Sequence, residues 1–98
     1  MRHEIVLSPQ AAIELKRLPA GIRAEVRDQI ELHLRHEPTK SSRSRIKKLR
    51  GLRRPQFRLR VGDIRVFYDV VEVEVQILTI VSGLLPSVKH GRSLIFSF

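Results

Sequence analysis

The sequence predicts an α+β fold in which two helices pack on a mostly antiparallel sheet. A short apolar run (HEIVL, residues 3–7) is followed by two segments with helical spacing, and residues 46–81 then contain only short alternating segments. Strands that follow helices, rather than alternating with them, are typical of α+β domains. A chain of 98 residues has room for one domain, so we assign residues 1–98 to it.

The first part of the chain is predicted to form a strand and an antiparallel helical hairpin. After the strand at residues 3–7, Ser8 and Pro9 have the features of a helix start. The Ser hydroxyl can accept a bond from a first-turn amide, and Pro suits the first helical position. A second helix is predicted after a break at residues 19–21. Its apolar residues recur every four positions, at Ile22, Val26, Ile30 and Leu34.

The second part is predicted to form a four-stranded, mostly antiparallel sheet. The predicted strands are residues 46–51, 56–61, 64–70 and 73–81. Gly62 and Asp63 suit a two-residue hairpin loop, because glycine readily adopts a positive φ. The pattern of the tail, residues 82–98, does not predict a particular structure.

The net charge of +9 is concentrated in one part of the chain. Residues 40–65 hold eleven of the 19 Lys and Arg residues and only one of the ten acids, Asp63. Such a block favours a polyanionic partner, because each Lys or Arg that binds a phosphate releases a condensed counterion. Nucleic acid is the first candidate, and an anionic membrane surface or an acidic protein are the others. The block lacks the amphipathic helix with aromatic anchors that membrane binding uses.

The composition argues against several kinds of site. The chain has no cysteine, which excludes disulfides and thiolate chemistry. The N-terminal residues are too charged for a secretory signal, and no apolar run approaches the ~20 residues of a membrane span. His33 and His36 have a spacing that suits a metal, but no third ligand accompanies them. We therefore expect a cytoplasmic protein without a metal or a cofactor.

The hairpin of residues 57–68 (FRLRVGDIRVFY) places arginines opposite arginines. One of its faces is predicted to be core and carries Phe57, Leu59, Val61, Ile64, Val66 and Tyr68. The other carries Arg58, Arg60, Arg65 and Phe67, with Arg60 directly across from Arg65. Like charges paired across strands destabilise a sheet by a few tenths to ~1 kcal/mol. This face is either simply solvated or filled by a polyanion, such as a single-stranded RNA that stacks a base on the aromatic ring.

These residues resemble the RelE/ParE toxins of bacterial type II toxin–antitoxin pairs. The resemblance lies in KLRG (residues 48–51) together with RLRVGDIRVFY (residues 58–68), and in IVLSPQAAIELKRLP (residues 5–19). It covers about residues 3–81 and implies the fold of small microbial ribonucleases. It also implies a toxin that is neutralised by a cognate antitoxin.

The resemblance to RelE-like toxins implies that this chain is a metal-independent, ribosome-dependent endoribonuclease that cleaves mRNA. Carried over by motif, the catalytic residues are Arg58, Arg60 and Arg65. The residues expected to bind mRNA and ribosomal RNA are Arg50, Lys47, Lys48, Arg53, Arg54 and Phe67. RelE-like nucleases have an Arg and a Tyr soon after the last strand, and this chain has neither there. Three tail residues are candidate contributors instead: Lys89, His90 and Arg92.

The resemblance leaves two other functions open. ParE-like toxins share the fold but inhibit DNA gyrase and are not enzymes, and the missing Arg and Tyr favour that function. A catalytically weakened relative would retain only antitoxin binding and repression of its own operon. The expected partners are therefore the antitoxin, in a hetero-oligomer, and either the ribosome with its mRNA or gyrase.

Overall fold

Two helices pack on one face of a five-stranded sheet, which confirms the predicted α+β fold. The structure is a computed structural model that describes residues 2–42, 45–51 and 53–82. The elements are β1 (Glu4–Leu7), α1 (Pro9–Arg17), α2 (Ala20–Leu34), β2 (Ile46–Lys48), β3 (Phe57–Val61), β4 (Ile64–Val71) and β5 (Glu74–Ser82). The candidate tail residues Lys89, His90 and Arg92 lie outside the described residues.

The strands lie in the order β1-β5-β4-β3-β2. Strands β2 to β5 pair antiparallel, as predicted, and β1 adds a fifth strand parallel to β5. Ile5 pairs with Val75 and Leu7 with Ile77, so the inward residues of β1 extend the core face. The sequence predicts the strand but not its place, because nothing local to residues 3–7 identifies a parallel partner at the far end of the domain.

Helix α1 begins where the sequence predicts. Ser8 Oγ accepts a hydrogen bond from Ala11 N at 3.0 Å, and Pro9 is the first helical residue. The same hydroxyl donates to Leu78 O at 2.8 Å, and Ser8 N donates to Ile77 O at 2.9 Å. One residue therefore caps the helix and joins it to β5.

Strand β5 contains a bulge beside α1. The pairing of β4 with β5 shifts register after Phe67, which leaves Leu78 as an extra residue. A bulge interrupts the ladder of backbone hydrogen bonds, and Glu14 of α1 supplies an acceptor there. Its Oε1 accepts from Thr79 Oγ1 at 2.7 Å and from Ile80 N at 2.8 Å. The carboxylate thus anchors α1 on the sheet.

Helix α2 begins earlier than predicted. It starts at Ala20, so Gly21 lies in its first turn, and the break is confined to the two residues before it. Pro19 is extended there, with φ −55° and ψ 148°. Val26, Ile30 and Leu34 are buried as predicted, but Ile22 is 41% exposed. The apolar stripe therefore meets the core only beyond the first turn.

The core lies between the two helices and the inner face of the sheet. All the residues predicted for the core face of the hairpin are buried: Phe57, Leu59, Val61, Ile64, Val66 and Tyr68. The Tyr68 hydroxyl donates to Pro38 O at 2.6 Å, and its ring stacks on Phe57 with centroids 5.5 Å apart. The segment after α2 is thereby fixed to the middle of the sheet.

Candidate nucleic-acid interface

The β3–β4 hairpin has the register that the sequence predicts. Val61 pairs with Ile64 and Arg60 with Arg65. Gly62 has φ +59° at the first loop position, where a hairpin turn of this kind favours glycine. Strand alternation then directs the arginines to the face of the sheet opposite the helices, which we call the outer face.

Five residues of the outer face lie in two adjacent rows across the strands. Lys47 of β2 pairs with Arg58 of β3, and Arg58 pairs with Phe67 of β4. The neighbouring row pairs Arg60 with Arg65. The fold therefore brings together all three predicted catalytic residues, which we call the arginine cluster, beside a lysine and an aromatic ring.

The arginine cluster concentrates three like charges on the outer face. Among the described residues, no carboxylate forms an ion pair with Arg58, Arg60 or Arg65. Arg60 Nε donates to Gly62 O at 3.3 Å, over the hairpin loop. Arg58 is partly buried, and its Nε is buried without a hydrogen-bond partner in the described part of the chain. Burial lowers the pKa of Arg58, and the nearby charges of Arg65 and Arg60 lower it further.

This arrangement is suited to binding an anion. A buried N–H without an acceptor destabilises the free protein, and so do like charges on adjacent strands. An oxyanion relieves both, because its oxygens accept from guanidinium N–H groups and its charge offsets the repulsion. The ring of Phe67 in the same face offers a surface on which a base can stack.

The other predicted RNA-binding residues lie on β2 and in the connection to β3. Lys47 and Lys48 are both exposed, but strand alternation puts only Lys47 on the outer face. β2 ends three residues before its predicted end, and Gly51 turns the chain with φ +76°. Arg50 and Arg53 are exposed in this irregular connection rather than on a strand. Their positions widen the basic surface beyond the sheet.

Asp69 is a residue of the outer face that the sequence analysis did not single out. It follows Phe67 by two positions on β4, and its side chain is 4% exposed. Its Oδ2 accepts from Arg54 Nε at 2.7 Å, and its Oδ1 accepts from Gln56 N at 2.7 Å. The predicted RNA-binding residue Arg54 is therefore part of an ion pair. The sequence contains one signal for this role of Asp69: an acid lies inside the apolar stretch VFYDVV, and a buried charge requires a partner.

His33 contacts side chains of its own domain. Its Nε2 lies 2.9 Å from Gln29 Oε1 and 3.3 Å from Arg45 Nη1. Burial lowers the pKa of His33, and the charge of Arg45 acts in the same direction. Residues 2–42, 45–51 and 53–82 contain no group of three His, Asp or Glu residues that could hold a metal ion. No helix within these ranges has the length and apolar character to cross a membrane.

The fold is similar to those in solved structures of RelE toxins and their complexes. A chain of the RelBE2 toxin–antitoxin complex from Mycobacterium tuberculosis is 25% identical, with a TM-score of 0.68, over 84% of this chain and 99% of that chain. A chain of the RelE–RelB complex from Pyrococcus horikoshii is 24% identical, with a TM-score of 0.70, over 86% and 98%. The isolated RelE toxin of E. coli is 17% identical, with a TM-score of 0.71, over 90% and 92%.

The architecture is thus that of the RelE toxins, two helices on a mixed, mostly antiparallel sheet. At the level of sequence, the family model described as the ParE toxin of the type II toxin–antitoxin system parDE matches residues 5–84. The chain belongs to this family, within the RelE/ParE superfamily, which confirms the resemblance drawn from its motifs. No curated protein matches the sequence.

Proposed function

We propose that this toxin is a metal-independent, ribosome-dependent endoribonuclease that cleaves mRNA in the cytoplasm and that a cognate antitoxin neutralises it. The arginine cluster carries the proposal. Its three guanidiniums lie on two central strands, without a carboxylate partner in the described part of the chain. The paired strands keep the backbone positions of these residues close together, so a polyanionic substrate is the occupant that the charge favours.

RNA supplies its own nucleophile for the proposed reaction. The 2′-oxygen loses its proton and attacks the adjacent phosphorus, and the bond to the 5′-oxygen breaks as that oxygen gains a proton. The products are a 2′,3′-cyclic phosphate and a 5′-hydroxyl. Between substrate and products, negative charge accumulates on the oxygens of a pentavalent phosphorane. Preorganised cations stabilise this phosphorane more than they stabilise the substrate. Guanidiniums can supply this stabilisation without a metal ion.

The three arginines differ in how they would contribute. A phosphate oxygen at Arg58 would accept from an N–H that has no partner within the described residues, in a partly dehydrated position where electrostatic attraction is stronger. Arg60 and Arg65, paired on adjacent strands, would neutralise the remaining charge. We assign catalysis to these three. Binding and orientation of the RNA are assigned to Arg50, Lys47, Lys48, Arg53, Arg54 and Phe67.

The proton transfers require other groups, because arginine stays protonated near neutral pH. We propose His90 of the tail for proton transfer, because an ordinary histidine titrates near neutrality, and the tail residues Lys89 and Arg92 as contributors of positive charge. The last described residue, Ser82, pairs with Ile64 at the end of the hairpin. The chain therefore enters the tail beside the arginine cluster.

Primer extension on cellular mRNA after brief expression of the chain alone tests the proposal. In-frame cuts within translated codons are expected, and the Arg60→Ala/Arg65→Ala variant should not produce them. Lys16→Ala/Arg17→Ala on α1 is the matched control, because it removes the same charge away from the outer face. Growth arrest with intact mRNA would contradict the nuclease function.

Inhibition of DNA gyrase is the second candidate, and the match to the ParE family favours it. Purified toxin should then block supercoiling by gyrase while mRNA stays intact, and the arginine cluster would be a docking surface. The third candidate is an antitoxin-binding co-repressor. It predicts normal growth upon expression, with both mRNA cleavage and gyrase inhibition absent.

A further inference from the structure

We propose that Asp69 is a positioning residue, which holds Arg54 ready to bind an mRNA phosphate beside the arginine cluster. This inference rests on the proposed function, because it adds a contact to the same RNA-binding face. Asp69 would act through Arg54 and would not touch the substrate.

The first observation is the placement of the Asp69 carboxylate. It lies on β4 only two residues from Phe67, which is about 7 Å along a strand. Both of its oxygens are occupied, one by Arg54 Nε and the other by Gln56 N. Gln56 in turn accepts from Val70 N through its side chain at 3.0 Å. The segment that carries Arg54 is therefore fixed to β4 at several points.

The second observation is what the ion pair leaves available. The Arg54 side chain is 52% exposed, and the bond to Asp69 uses only one of its five N–H groups. The other four have no acceptor among residues 2–42, 45–51 and 53–82. Those four include the pair of terminal amino groups that binds an oxyanion in a bidentate manner. Arg54 is thus oriented by the protein and still open to a ligand.

The neighbouring residue Arg53 provides the contrast. It is exposed, and its side chain has no hydrogen bond or ion pair within the described residues. An unrestrained arginine loses conformational freedom when it binds a phosphate, whereas a restrained one has lost it already on folding. Two adjacent arginines of equal charge should therefore contribute unequally to RNA binding.

The direction in which RNA affinity changes when the Asp69 charge is removed distinguishes a positioning role from a purely electrostatic one. Asp69 is a negative group on a basic face, so its own field repels RNA. Asp69→Asn removes that charge at nearly constant volume, and the Asn oxygen can still accept from Gln56 N. Its amide, however, presents a donor to Arg54 Nε. Electrostatics alone predicts tighter RNA binding by this variant, and positioning predicts weaker binding.

Single-turnover cleavage of a short mRNA on purified, programmed ribosomes, with the full chain as enzyme, tests this. It measures the toxin concentration at half-maximal rate and the maximal rate. We expect Asp69→Asn to raise the toxin concentration at half-maximal rate by roughly tenfold, the effect of one charge-assisted hydrogen bond. The maximal rate should change less than about twofold, because the arginine cluster is untouched. Arg54→Ala should raise the half-maximal concentration at least as much as Asp69→Asn, because it removes the phosphate-binding group itself, and the double variant should be no worse than Arg54→Ala. Arg53→Ala should have the smaller effect.

Circular dichroism at the assay temperature checks that each variant is folded. If Asp69→Asn does not fold, Arg54→Lys and Arg53→Lys are compared instead. Both keep the charge, and only Arg54→Lys removes the Nε donor that bonds to Asp69. Positioning predicts a raised half-maximal concentration for Arg54→Lys alone. An unchanged or lowered half-maximal concentration for Asp69→Asn, with normal cleavage by the wild type, overturns the role of Asp69 and leaves the proposed function standing. Absence of cleavage by the wild type overturns the proposed function itself.

Discussion

Replacing Arg58 with methionine should make the free protein more stable. Arg58 pairs with Lys47 across the strands and lies near the charges of Arg60 and Arg65, and its Nε is buried without a partner among the described residues. Methionine keeps the aliphatic length and removes both unfavourable features. Like charges opposed across strands cost about 0.2–1 kcal/mol, and an unsatisfied buried N–H costs about 1–3 kcal/mol. Because Arg58 is only partly buried, we take the low end and expect a gain of about 1–2 kcal/mol.

Urea denaturation followed by circular dichroism measures this gain. In a thermal melt of a domain of this size, the same gain should raise the midpoint by about 5–10 °C. The gain should be largest at low ionic strength and shrink in about 1 M salt, where charges are screened beyond ~3 Å. The part due to the unpaired Nε should persist at high salt, because screening does not supply a hydrogen-bond acceptor.

Arg54→Met is the matched control, since Arg54 lies near the same face but is paired with a buried carboxylate. It should destabilise the protein by about 1–3 kcal/mol, because the charge of Asp69 loses its partner. The two substitutions should therefore change the free energy of unfolding in opposite directions. If Arg58→Met destabilised the protein as Arg54→Met does, the arginine cluster would not be strained and the reasoning about its ligand would fail.

Two further predictions concern the core and the second hairpin. Burial raises the pKa of Tyr68 above its ordinary value of about 10, so the stabilisation linked to its protonated form is complete below pH ~10 and is lost as the pH rises further. The ultraviolet absorbance of this single tyrosine should report ionisation only as the chain unfolds; ionisation of the folded protein at pH ~10 would show that Tyr68 is accessible. Glu72 has φ +56° in the two-residue loop between β4 and β5, so Glu72→Gly should raise the free energy of unfolding by roughly 0.5–1 kcal/mol. A loss of stability on urea denaturation would show that the loop does not strain Glu72.

The β3–β4 hairpin could be predicted in full from sequence, because the information that specifies it is local. Residues 57–61 and 64–66 alternate between apolar and polar, and Gly62 marks the position that needs positive φ. A shift of the register by one residue would have moved every apolar side chain to the wrong face. The predicted pairs, including Arg60 with Arg65, are those of the structure.

The features that were not predicted depend on residues that are distant in the sequence. β1 enters the sheet through a parallel pairing with β5. The bulge at Leu78 is coupled to Glu14, which follows from the packing of α1 and not from any pattern within β5. Asp69 has an ion-pair partner only because the loop before β3 brings Arg54 next to it. The break between the helices was misplaced for a local reason, since Gly21 is tolerated in a first turn and Pro19 alone sets the boundary.

The central claim is that the arginine cluster is unfavourable for the free protein and favourable for its substrate. The most direct test measures mRNA cleavage on programmed ribosomes and the free energy of unfolding on the same preparations of wild type and Arg60→Ala/Arg65→Ala. We predict that the variant loses cleavage by at least about 10²-fold and is as stable as the wild type or more stable. A variant that cleaves normally, or one that loses activity only because it unfolds, would contradict the claim.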